Sequence, residues 1–181
     1  MSHQSAEVLE AGLADVEAAP ADEGAVLLIV RRPTYDKREV VTQGELDPER
    51  GLAGDNWASR ATIGADGPER YAQLTLMNAR YTRLIAGETE AWPAAGDQIY
   101  VDMDLSMANL PAGTRLRLGS AVIEISAEPH TGCAKFSARF GSEALRLANS
   151  ERGRALRLRG VNASVVEAGL FSVTDRATKL A

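Results

Sequence analysis

Two alternating runs, Thr114–Leu118 and Ala121–Ala127, meet at Gly119-Ser120. Alternation on both sides of a two-residue Gly-Ser joint predicts a β-hairpin, because glycine readily takes the positive φ that such turns need. In the first arm Leu116 and Leu118 share one face while Arg115 and Arg117 share the other. In the second arm Ala121, Ile123 and Ile125 line one face. The rest of the chain is punctuated into similarly short pieces. Ala25–Arg31 is an apolar run of strand length closed by Pro33, and Arg38–Thr42 reads as its partner. Tyr71–Leu76 alternates like a half-buried strand. In the stretch LRLRGVNASVVEAG, Arg157 and Arg159 would lie on one side of a strand, with Gly160 permitting a bulge. Phe171–Leu180 reads as a terminal strand.

Only two helices are predicted. One is Asn78–Ala86, capped by Asn78 and stopped by Gly87. The other is Ser142–Arg152, with Ser142 as cap and Ala144, Leu145, Leu147 and Ala148 as its apolar stripe. Residues 51–70 carry four glycines and one proline and read as a long irregular segment. Many short strands with two helices predict a mainly β fold, a barrel-like domain.

Size and composition set the remaining bounds. With 181 residues, 45% hydrophobic and 25% charged, the chain suits one soluble domain with a real core. Its longest apolar run, Ala25–Val30, is far too short to cross a bilayer, so no membrane contact is expected. The first residues show no secretory pattern, and a lone cysteine suits a reducing compartment, so a cytoplasmic location is expected. Residues 1–23 hold Glu7, Glu10, Asp15, Glu17, Asp22 and Glu23 without a lysine or arginine. They read as an acidic N-terminal extension, a short helix or a disordered stretch, solvated rather than docked, leaving residues 24–181 as a single β-barrel domain. A net charge of −5 speaks against a nucleic-acid partner.

Cys133, the only cysteine, sits in EPHTGCAKFSARFG. One thiol can form neither an internal disulfide nor a multi-cysteine zinc site, which leaves the roles of single soft ligand and nucleophile. Between Thr131 and Gly160 seven cations face two carboxylates, a local excess of +5 in a chain whose total is −5. Nearby cations favour the thiolate and offer a seat for phosphate. The plainer alternative is a small buried hydrophobe.

Several segments, in order, resemble the MOSC family, domains related to the C-terminal part of molybdenum-cofactor sulfurase. Pro129-His130-Thr131-Gly132-Cys133 after the hairpin carries the resemblance furthest, supported by Lys135-Phe136 and Arg159-Gly160-Val161-Asn162-Ala163. Gly51-Leu52-Ala53-Gly54-Asp55, Gln73-Leu74-Thr75-Leu76, Gly96-Asp97-Gln98 and Leu110-Pro111-Ala112-Gly113 are similar to further family segments. The chain departs from the family where Asn56-Trp57 stand for Arg-His, Asp97-Gln98 for Glu-Asn and Thr174-Asp175 for Gly-Asp. The resemblance, to a stand-alone bacterial-type member, implies a barrel like that of pyruvate kinase. It also implies the molybdenum cofactor, a molybdopterin, with Cys133 as metal ligand or persulfide carrier.

Under that resemblance Cys133 and His130 are the catalytic candidates. Lys135, Arg139, Arg157, Arg159, Asn162 and Asp55 are the cofactor-binding candidates. Arginine suits the pterin phosphate, and thiolate suits a metal already held by sulfur. The expected activity is an oxidoreductase reducing small N-hydroxylated compounds with an electron-donor protein. The alternative is a sulfur carrier charged by a cysteine desulfurase, and a third reading is an anion-binding barrel without catalysis. Pyridoxal phosphate is not expected in this chain, since Lys37, Lys135 and Lys179 lie in no recognisable motif for it.

Overall fold

The computed structural model describes residues 3–65 and 67–181. In chain order the elements begin with α1 (Ala6–Glu17), β1 (Glu23–Arg31), β2 (Glu39–Val41), β3 (Gln43–Asp47) and β4 (Gly51–Leu52). Next come α2 (Trp57–Arg60), β5 (Ile63–Gly64), β6 (Gly67–Pro68), β7 (Leu74–Asn78), α3 (Ala79–Ala86) and a 3-10 turn at Thr89–Ala95. Then follow β8 (Ile99–Asp102), β9 (Arg115–Leu118), β10 (Ala121–Ile125) and the helices α4 (Ala134–Phe140), α5 (Ser142–Asn149) and α6 (Glu151–Ala155). The chain ends with β11 (Val161–Glu167), β12 (Gly169–Ser172) and β13 (Arg176–Lys179).

Seven strands close into a barrel in the order β13-β9-β10-β11-β7-β8-β1, with β13 pairing back onto β1. All neighbours are antiparallel except β7 and β8. β2 pairs with β1, as expected of Arg38–Thr42, and extends the sheet beyond it with Ile29 opposite Val41. The Gly119-Ser120 hairpin forms as expected, with Ala121 opposite Leu118. Gly119 takes φ 55°, and a Cβ there would collide with the Leu170 carbonyl, so only glycine fits this corner.

Two apolar cores share the barrel wall. Val26, Ile29, Leu74, Leu76, Ile99 and Val101 point into the barrel. Leu28, Val30, Met77 and Tyr100, from the same strands, point outward under the helices. A strand covered on both faces loses its alternation. This explains the unbroken run in β1 and why β7, expected to be half-buried, is buried at all five positions. Where no helix covers the wall the alternation survives: Leu116 and Leu118 are buried, Arg115 and Arg117 exposed.

Helix content, about 29% against about 31% strand, exceeds the two segments expected. The predicted Ser142–Arg152 helix breaks at Ser150, whose hydroxyl accepts from Gly153 N–H (3.0 Å) and starts α6. Residues 1–23 are not a solvated tail throughout. α1 is capped by Ser5 and buries Leu9, Leu13 and Val16 against α3 and α5. Its carboxylates are used as well: Glu10 and Glu17 pair with Arg152, and Asp15 with Arg80. An i, i+4, i+7 stripe of three residues is easily overlooked in an alanine- and acid-rich sequence. Within residues 51–70 the chain is better ordered than expected, with Trp57 buried; Asp66 lies outside the described residues. The terminal stretch forms two strands, β12 and β13, parted by a turn held by the Asp175 carboxylate.

Candidate functional site

One end of the barrel gathers the polar residues that the core rejects. There β1 runs out at Arg31 into a loop, β8 is preceded by Gly96-Asp97, and β11 is preceded by Arg159-Gly160. The segment after β10 crosses the same end, carrying His130 and Cys133 into α4. Between these segments lies a cleft of about 240 Å³. Six cations line it: Arg32, Arg38, Arg60, Lys135, Arg139 and Arg159. Asp36 is the only carboxylate on the lining among the described residues.

The 3-10 turn organises three of these guanidinium groups. Its last carbonyls have no partner within the turn, and such ends attract cations. Arg139 Nη1 donates to Ala94 O (2.7 Å), Arg159 Nη2 to Ala95 O (3.1 Å) and Arg32 Nη1 to Gly96 O (3.1 Å). Two buried carboxylates brace the cluster from behind. Asp55 clamps Arg32 with two bonds, Nε–Oδ2 at 2.9 Å and Nη2–Oδ1 at 3.0 Å. Asp97 holds Arg159 Nη1 at 2.6 Å. Gly96, at φ 91°, leaves the floor open: a Cβ there would stand 3.6 Å from Arg38 Nη2.

Demand for an anion remains after this pairing. Arg38 Nε and Arg159 Nε are buried without a hydrogen-bond partner, a costly state for a charged group. Burial, then the nearby Arg139 and Arg32, hold the Arg38 pKa below its ordinary value. Lys135 meets Tyr35 Oη at 2.5 Å and stands 3.8 Å from Asp36, both exposed. Arg139 also shares Asp36, at 3.7 Å.

Cys133 is exposed and precedes the first turn of α4 on the cleft edge. The backbone N–H groups of Phe136 and then Lys135 lower its pKa, with Arg159 and Lys135 adding to the effect and partial burial opposing it. No capping hydrogen bond to Sγ is closed in the structure, so the N–H groups act on the sulfur as aligned dipoles. His130 is driven the other way. Burial, then Arg159, lower its pKa to about 4, and the Asp97 carboxylate only partly offsets this. Its Nδ1 lies 3.5 Å from Asp97 Oδ1, and both atoms are buried without a hydrogen bond. At neutral pH His130 is therefore an uncharged imidazole beside a cationic cleft.

The sequence-derived candidates divide. Cys133, His130, Lys135, Arg139 and Arg159 come together on the cleft. Asp55 does not face it as an acceptor, because its carboxylate already takes Arg32 and the N–H groups of Arg32 and Trp57. Asn162 stands on the neighbouring hollow of Trp57, Tyr71 and Glu128, and its Nδ2 donates to Glu128 O (3.2 Å). Arg157 is absent from the cleft lining and bonds Leu110 O. Arg157 and Arg159 precede β11 instead of lying within it. Arg157 has φ 49°, so the two-residue period that would place them on one side does not apply. Sequence reasoning missed Arg32, Arg38 and Arg60 as site residues. The signal for Arg32 and Arg38 was the cation density around Pro33, far from Cys133 in the chain, and Arg60 carried none.

No family model and no curated protein sequence matches the chain. Solved structures do. The YuaD protein of Bacillus subtilis superposes with a TM-score of 0.64 at 16% identity, covering 86% of this chain and 94% of that one. YiiM of Escherichia coli does so with a TM-score of 0.57 at 22% identity, covering 87% of this chain and 70% of its own. These likenesses show the fold, a closed seven-stranded barrel with several short helices.

Proposed function

We propose that the chain is a MOSC-type protein that holds the molybdenum cofactor in the Cys133 cleft and reduces small N-hydroxylated compounds. The observation that carries this reading is an exposed thiol, biased towards thiolate, on a cleft lined by six cations and one carboxylate. The residues fit the group. Thiolate is a soft ligand suited to a metal bound by sulfur. The partnerless Nε atoms of Arg38 and Arg159 match the demand of a phosphate-bearing pterin.

When bound, the cofactor supplies the redox chemistry. The chain's own residues do the rest. Cys133 ligates the metal, while Arg38, Lys135 and Arg139 take the phosphate. Asp97 and Asp55 fix Arg159 and Arg32 so that the charges are in place before the ligand arrives. Uncharged His130 is able to accept or donate a hydrogen bond at the cleft without adding to its charge. An electron-donor protein completes the turnover.

The test is to purify the protein from a host that makes the cofactor and to measure bound molybdenum and pterin. Wild type should carry both, and Cys133→Ser should lose the metal. A wild type free of molybdenum, under conditions that load a control protein, overturns the reading.

A second reading, sulfur carriage, is favoured by the same exposure of Sγ, which leaves it open to a protein donor. The Cys133 thiolate would attack the outer sulfur of a desulfurase persulfide. A new S–S bond forms at Cys133, the donor's S–S bond breaks, and the donor cysteine leaves as thiolate. Mass spectrometry after incubation with a desulfurase and cysteine should find one added sulfur on wild type. The same gain on Cys133→Ser removes this reading.

A further inference from the structure

His130 and Arg159 form a wall with two sides. Beyond it, away from Cys133, lies a separate hollow of about 120 Å³. Met107, Ala127, Pro129 and Val161 give it mostly apolar walls, and Arg154 and Arg157 stand on its lining. An apolar cavity of ~150 Å³ accepts benzene, so this smaller hollow takes most of a body of that size and leaves its polar end at the mouth.

The two arginines are what make it more than a gap. Arg154 Nη1 donates to Asn149 O (2.6 Å) and Arg157 Nη1 to Leu110 O (2.5 Å). Among the described residues neither has a carboxylate within ion-pair distance, although the exposed Glu128 stands on the same lining. Elsewhere in the same segment, Arg146, Arg152 and Arg159 each hold a carboxylate. Arg157 is half-buried, and desolvation pulls its pKa down. Its backbone is left-handed, φ 49°, a conformation that long side chains rarely take and that persists where the surroundings enforce it. The turn is closed by Gly160 N–H to Arg157 O (2.8 Å), which fixes where the side chain leaves the backbone beside the hollow.

We infer that this hollow binds a small carboxylic acid with an apolar body, the body against Met107 and Val161 and the carboxylate on Arg157 and Arg154. A carboxylate supplies the charge that both arginines lack, and its body fills a cavity that water solvates poorly. The site needs neither the thiol nor a metal, so it stands or falls apart from the reading of Cys133. The shared wall of His130 and Arg159 makes it a neighbour through which an occupant could be sensed at the cleft.

Calorimetric titration of the purified protein with benzoate tests this. Benzoate should bind saturably at one site, and benzyl alcohol, its neutral counterpart, about tenfold more weakly. Arg157→Gln should weaken benzoate by about the same factor. Ala127→Trp, filling the hollow from an exposed position, should abolish binding. Cys133→Ser and Lys135→Gln should leave it unchanged. Absence of saturable binding overturns the inference, as does equal binding of the alcohol. So does binding that survives Ala127→Trp but falls in Lys135→Gln, which would place benzoate in the Cys133 cleft. If Arg157→Gln fails to fold by circular dichroism, the exposed Arg154→Gln replaces it with the same expectation.

Discussion

Lys135, Arg139 and Arg159 look into a cleft, while Arg146 and Arg152, from the same basic segment, look at carboxylates. Arg146 is taken by Glu143 (2.6 Å) on its own helix. Arg152 is taken by Glu17 (2.9 Å) and Glu10 (3.4 Å), which α1 delivers from the other end of the chain. On the cleft side Asp55 and Asp97 are buried behind the arginines, and only the exposed Asp36, shared by Lys135 and Arg139, stands in front of them among the described residues. The lesson is that charge density in a sequence marks no site by itself. What distinguishes a binding cleft from a solvated face is where the counter-charge is placed.

Four experiments test that contrast, in falling order of effect. Asp97→Ala strands the buried Arg159 guanidinium and should cost about 3–5 kcal/mol, read from urea denaturation. If the cost is no more than that of a surface pair, the bracing role of Asp97 is wrong. The pH dependence of stability comes next. His130 titrates near 6.5 when unfolded and at about 4 when folded. Between those values the unfolded state binds the extra proton, so stability falls as pH drops through the window, by up to about 3 kcal/mol. His130→Gln should flatten that slope, and an unchanged slope would assign it to other groups.

The third concerns the thiol. Alkylation of Cys133 by iodoacetamide should titrate below an ordinary thiol, and Lys135→Gln should raise the midpoint and slow the reaction near neutral pH by a few-fold. A midpoint that does not move means that the helix N–H groups and Arg159 set it without the Lys135 charge. The smallest effect belongs to the neutralised face. Arg152→Ala should cost less than about 1 kcal/mol, because both its partners are exposed. A larger loss would show that α1 is held by charge rather than by Leu9, Leu13 and Val16.

Much of this molecule could be read from its residues. Asn78 and Gly87 bound a helix because their side chain and backbone freedom act locally. The β9–β10 hairpin was legible for the same reason. The break at Ser150 was not, because serine is tolerated inside a helix until a neighbouring cap competes for it. The docking of α1 was not either, because the partner surface on α3 and α5 is made by distant sequence.

The candidate site divides along the same line. A lone cysteine after a hairpin, amid cations, was visible at once from composition and local order, although it stands at the start of α4 and not at the strand end expected for it. That Lys135, Arg139 and Arg159 share one cleft with Arg32, Arg38 and Arg60 was decided only by closure of the barrel. So was the departure of Arg157 to a different hollow. Local rules fix the cap, the turn and the facing of a strand, because their energies are spent within a few residues. Convergence of charge costs energy over long range and is settled only when the whole wall has closed and buried carboxylates are there to hold it.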